Sequence, residues 1–183
     1  MELPSSKSEI IEKITNMSDF SKIDFLEMII KERADIAIKK FCHHRLAALY
    51  LDRGMNSKAA QNMEALARVA ATYDEKIKAY MDSVKILVSG GELIEAERVL
   101  DKALGFSSYP AKRVELKKEL IKLYKDKAID LEKNMKRAAA LSVYERIHKL
   151  GDEIDKEEAK KKLLYYYEKL GKIKDYNRLQ GIY

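Results

Sequence analysis

An all-α fold is predicted from three observations. Glycine and proline number only seven and two in 183 residues, while Ala, Leu, Lys, Glu and Met supply much of the chain, the residues that lose least rotamer freedom in a helix. Apolar positions recur at helical spacing, as with Leu93, Ala96, Val99, Leu100, Ala103 and Leu104, and strand-like alternation is nowhere sustained. Helix starts and stops are legible as caps, and the connections between them are short.

Taken in order, the pattern predicts helices near residues 7–16, 22–53 with a break around 31–33, 57–72, 75–89, 92–104, 110–133, 136–149, 156–170 and 173–180. Ser6 with Glu9, Thr72 with Glu75, and Asp155 with Glu158 are spaced as capping boxes. Pro110 suits a first turn, where its missing N–H has no intrahelical partner anyway. Gly105 and Gly151 fit helix ends with a left-handed backbone. Opposite charges four apart, as in Glu27–Lys31, Glu64–Arg68, Glu132–Lys136, Glu157–Lys161, Glu158–Lys162 and Glu168–Lys172, are expected to support solvated faces. Connections of two to five residues force antiparallel hairpins, and no Pro/Gly/Ser-rich linker divides the chain. One domain over residues 1–183 is expected, with 1–36 as N-terminal capping helices and about four hairpins over 37–180.

A repeat underlies the hairpins. Gly54, Gly91, Asn134 and Gly171 fall in register, each closing one helical pattern shortly before another opens. Gly and Asn tolerate the positive φ of a tight exit. Five residues later stand Ala59, Ala96, Ala139 and Tyr176, so three of four units place a small side chain where two helices can approach closely. The run LLYYYEKL spreads three tyrosines around most of a helix circumference, as a helix packed on more than one side requires.

These features resemble the tetratricopeptide-repeat family, whose units are helical hairpins with a turn glycine and an alanine five residues on. Gly54/Ala59, Gly91/Ala96 and Gly171 carry the likeness, with Met63, Leu100 and Val143 nine residues past each anchor, across roughly residues 38–180. The long, irregular units are most similar to divergent relatives of the soluble NSF-attachment type. The resemblance implies a short right-handed α-solenoid whose first helices line a concave groove. It also implies that the inward positions are those ten, nine and six residues before each anchor: His44, Arg45 and Ala48; Met81, Asp82 and Lys85; Tyr124, Lys125 and Ala128; Lys161, Lys162 and Tyr165.

Composition and motifs narrow the function. The net charge of +6 is uneven, with ten basic against nine acidic residues in 1–60, ten against ten in 61–120 and sixteen against eleven in 121–183. Such an excess points to a local acidic partner rather than a protein wrapped in nucleic acid. FCHHRL holds Cys42, His43 and His44, but no ligand-type residue stands one helical turn from any of them, so no metal is expected and Cys42 reads as a small core residue. No cofactor is expected either. There is no Gly-x-Ser-x-Gly elbow, phosphate loop or dinucleotide fingerprint, and Asp152/Glu153 and Glu157/Glu158 sit beside helix starts, where the dipole favours them.

The expected function is a non-enzymatic interaction scaffold or adaptor that binds an acidic peptide or helix, with His44, Arg45, Lys85, Tyr124, Lys125, Lys161, Lys162 and Tyr165 in the groove. A helical RNA- or DNA-binding protein using the basic C-terminal third is the competing reading. A homodimer through the N-terminal helices is a third, since Phe20, Ile23, Phe25, Leu26, Met28, Ile29 and Ile30 crowd that segment. No run reaches the ~20 apolar residues of a membrane span, and no leader precedes the first helix, so a cytoplasmic protein is expected.

Overall fold

The computed structural model describes residues 4, 6–32 and 35–182. These residues form ten helices and no strand. They fall into two compact units, Met1–Tyr109 and Pro110–Tyr183. Residues 33 and 34 lie outside the described residues, as do 1–3 and 5, all within the expected N-terminal cap.

The first unit holds α1 (Lys7–Thr15), α2 (Asp19–Glu32), α3 (Ile36–Asp52), α4 (Asn56–Val69), α5 (Tyr73–Gly90) and α6 (Leu93–Gly105). The segment read as one interrupted helix over 22–53 is two helices, because Asp35 caps α3 by accepting the Ile38 N–H at 3.0 Å. Consecutive helices from α2 to α6 pack pairwise. Alternate helices are tied as well: Lys40 of α3 donates to Glu75 of α5 at 2.7 Å, and Glu64 of α4 accepts Lys102 and Arg98 of α6 at 2.6 and 3.1 Å. Glu64 is only 7% exposed. It therefore serves as a buried strut, not the surface partner of Arg68 that its spacing predicted, because two cations satisfy a desolvated carboxylate better than one solvated pair.

The N-terminal apolar residues are largely consumed within this unit. Ile23, Phe25, Leu26 and Ile29 are buried, while Phe20 is exposed with the Arg53 guanidinium 4.0 Å from its ring centre.

The second unit holds α7 (Pro110–Lys133), α8 (Arg137–Leu150), α9 (Glu153–Lys169) and α10 (Ile173–Gln180), again packed in sequence. Pro110 opens α7 as expected. The start of α9 lies one turn earlier than predicted. Asp152, not Asp155, is its cap, and the box is closed by reciprocal bonds between the Asp152 and Asp155 side chains and backbone N–H groups. Gly151 has φ −71°, so a left-handed backbone is not what it supplies; an added Cβ would sit 2.4 Å from that of Asp155. Gly105 likewise lies in the last turn of α6 without a positive φ.

The hairpin bends are the same turn four times. Gly54, Gly91, Met135 and Gly171 have φ of +68°, +84°, +57° and +68°. The next residue lies near φ −85°, ψ +62° in each case, at Met55, Glu92, Lys136 and Lys172. Its N–H closes a bond of 2.8–2.9 Å to the carbonyl five residues back, at Tyr50, Leu87, Leu131 and Tyr167. This is a Schellman exit continued straight into a second helix.

The third anchor is thus Met135 and not Asn134. Asn134 instead donates its side-chain amide back to the Asp130 carbonyl at 2.8 Å. The small residue five positions on becomes Ala140, fully buried like Ala59 and Ala96, while Ala139 faces solvent.

Candidate partner-binding grooves

In the second unit α7 and α9 each pack against α8, and side-chain bonds bridge α7 to α9. Lys125 of α7 donates to Asp155 at 2.6 Å and Glu158 at 2.8 Å on α9. Seven residues along α7, Glu132 accepts Lys162 at 2.9 Å, Tyr166 at 2.9 Å and Tyr144 of α8 at 3.0 Å, all on one oxygen. The i, i+7 spacing keeps Lys125 and Glu132 on one face of α7, and the 3.6-residue turn brings α9 partners level with each.

Between these two ties a cavity of about 430 Å³ opens, with Ile129, Ile147 and Ala159 as apolar lining and Lys125, Lys161 and Lys162 at its rim. Ile129 is 46% exposed, whereas Ile147 and Ala159 are each 1% exposed and form the floor.

Local electrostatics act on Lys125, Glu132 and Tyr166 at this seam between α7 and α9. Hydrogen bonds from Lys125 to Asp155 and Glu158 raise its ammonium above the ordinary lysine value, so it stays charged. Burial pushes the Glu132 carboxyl up, but its bonds from Lys162, Tyr166 and Tyr144 outweigh that and leave it below the usual glutamate range. Desolvation, reinforced by Glu132, raises the Tyr166 hydroxyl to about 12, so it remains a donor. Lys161 has no ion-pair partner among the described residues and is exposed.

The first unit has two smaller clefts. One, of about 200 Å³, lies between α3 and α5 and gathers His44, Lys40, Lys78 and Asp82 over Leu66 and Ala70. The other, of about 260 Å³, is lined by Arg45, Ala48 and Asp52 of α3 with Ile11 and Ile14 of α1 and Lys22 of α2.

The expected groove residues therefore separate. Lys125, Lys161 and Lys162 meet at one rim, and Tyr165 is exposed on α9 with the Lys169 ammonium 5.9 Å from its ring centre. His44 and Arg45 are neighbours in sequence but open into different clefts. Lys85 is exposed, 3.7 Å from Asp82. Tyr124 has no exposed surface, so it belongs to the core of the second unit and offers nothing to a partner.

That correction follows from the shifted bend. Counting ten and six residues back from Met135 gives Lys125 and Ile129, the pair at the cavity, in place of Tyr124 and Ala128, both fully buried. Glu132 and Glu158 escaped the sequence reading because each looked like an i,i+4 surface partner, whereas their lysine partners lie 30 and 33 residues away.

Cys42 is buried with its thiol pushed up to about 11 by desolvation. His43 donates its Nδ1–H to the Asn62 side-chain oxygen at 3.0 Å. Among the described residues no group of three His, Cys, Asp or Glu side chains converges as metal ligands would, and no helix is long and apolar enough to cross a membrane. No protein-family model matches the sequence, and no curated protein matches it.

Proposed function

We propose that the protein is a non-enzymatic, tetratricopeptide-like interaction scaffold, working in the cytoplasm, that binds an acidic segment of a partner protein in the α7–α9 groove. The observation that carries this reading is a cavity floored by Ile147 and Ala159 around which Lys125, Lys161 and Lys162 outnumber Glu132 and Glu158. Basic rims steer an acidic ligand and apolar floors hold it, a division of labour common at protein interfaces. Four copies of one bend, each followed within five residues by a buried alanine in three cases, support the repeat class.

Nucleic acid is the less favoured ligand. The second unit carries twenty basic against thirteen acidic side chains, yet Asp155, Glu158 and Glu132 interrupt the lysines at the seam. A phosphate track needs an unbroken basic face.

The test is a titration of a fluorophore-labelled acidic peptide containing leucines, read by anisotropy, against wild type and Lys161→Glu. Lys161 makes no ion pair among the described residues, so its reversal leaves the internal network in place. Affinity is expected to fall about three- to ten-fold. Unchanged affinity, or preferential retention of nuclease-sensitive material from lysate, would end this reading.

A further inference from the structure

The two carboxylates on Lys125 are not equivalent. Asp155 is 15% exposed and doubles as part of the α9 capping box, accepting the Asp152 N–H. Glu158 stands one turn further along α9, is 61% exposed and makes no second hydrogen bond among the described residues. It also lines the cavity itself. One partner of Lys125 is built into a helix terminus, and the other is free to swing away. Lys162 offers a contrast, because its partner Glu132 is pinned by two tyrosine hydroxyls.

We propose that Glu158 is a built-in competitor for the ligand, and that it restricts the groove to acidic segments which also bring an apolar side chain to Ile129. This rests on the acidic-segment reading above. A ligand carboxylate reaching Lys125 must displace Glu158, exchanging one exposed ion pair for another. An exposed pair shifts an equilibrium by no more than about five-fold, and the exchange cancels most of even that. The net affinity must then come from apolar surface. Ile129 is half open above the buried floor of Ile147 and Ala159, and the cavity of about 430 Å³ exceeds the volume of a single leucine or phenylalanine side chain. A purely acidic chain gains nothing in that space.

Two labelled peptides of equal length separate the terms, one of glutamate and serine alone and one with leucines replacing some serines. Each is titrated against wild type, Glu158→Gln and Glu153→Gln. The last removes the same charge from an exposed α9 position whose ion pair among the described residues is with Lys156.

Wild type is expected to prefer the leucine peptide by about ten-fold or more. Glu158→Gln is expected to bind the leucine-free peptide about two- to five-fold tighter than wild type, narrowing the preference, with a smaller change in Glu153→Gln. Equal gains in both variants would reduce the effect to net charge and overturn the proposal, and weaker binding by Glu158→Gln would overturn it too. If wild type binds both peptides equally, selectivity falls while acidic-segment binding stands. If it binds neither, both fall. Far-UV circular dichroism of each variant establishes that the helices are intact.

Discussion

Glu132 shows how one side chain can belong to core and site together. Its carboxylate is 24% exposed, receives three donors and anchors one end of the groove. Because its folded-state pKa is lowered, it contributes stability that is fully present above the ordinary glutamate value of 4.5 and is lost as pH falls through the folded value. The urea midpoint of the wild type is therefore expected to decline in that acid window. Glu132→Gln keeps the shape and removes the titration, so it should be less stable near neutrality and show a flatter acid limb. An acid limb of unchanged steepness would show that other carboxylates govern it. Cys42, buried with its thiol raised, has no such dual role and reads as packing alone.

At the scale of the element, the bend is the informative unit. Three of its four copies place glycine at the left-handed position and one places Met135, 70% exposed. A side chain there costs about 1–2 kcal/mol against the right-handed basin, partly offset because glycine loses more entropy on folding. Met135→Gly is expected to stabilise the protein by up to about 1 kcal/mol, and Gly54→Ala to destabilise it by about 1 kcal/mol, both by thermal denaturation. Opposite signs at chemically equivalent turns are the diagnostic outcome; a loss of stability at Met135→Gly would mean the methionine packs usefully.

The bend also explains what sequence inspection could and could not see. Glycine marks a positive φ by itself, so Gly54, Gly91 and Gly171 were legible. Asn134 looked suitable for the same reason, but the neighbouring methionine takes the left-handed position, while the Asn134 side-chain amide donates to the carbonyl of Asp130 one turn back. That single step moved the buried alanine from Ala139 to Ala140 and turned Tyr124 from a groove residue into a core one.

For the whole molecule, the division at Tyr109 and Pro110 sorts the charge. The first unit has sixteen basic and seventeen acidic residues and the second twenty and thirteen, so the net positive charge resides entirely in the second. Charges away from the groove then act on encounter more than on the bound state. Neutralising Lys117 and Lys122, exposed on α7 and outside the cavity lining, is expected to slow association of an acidic peptide about two-fold in stopped-flow measurements while leaving dissociation unchanged. The difference should vanish as ionic strength rises toward about 1 M, where the screening length shrinks to about 3 Å. A faster dissociation rate would instead place those lysines in direct contact with the ligand.

By itself the sequence determined the helical class, most of the helix ends and three of the four bends, because these depend on local propensity, capping geometry and the freedom of glycine within a few residues. Only the tertiary structure decided which charges meet. Glu64, Glu132 and Glu158 each had a plausible partner one turn away, and each instead bonds to a helix some thirty residues distant. A local pair on a solvated face contributes a few tenths of a kcal/mol, which packing of one helix against another readily overrides where, as at Glu64 and Glu132, it sets a desolvated carboxylate beside two or three donors. The carboxylates of the groove owe their place to those distant meetings, and so they were invisible until the helices were placed, whereas Lys125, Lys161 and Lys162 were already named from the sequence.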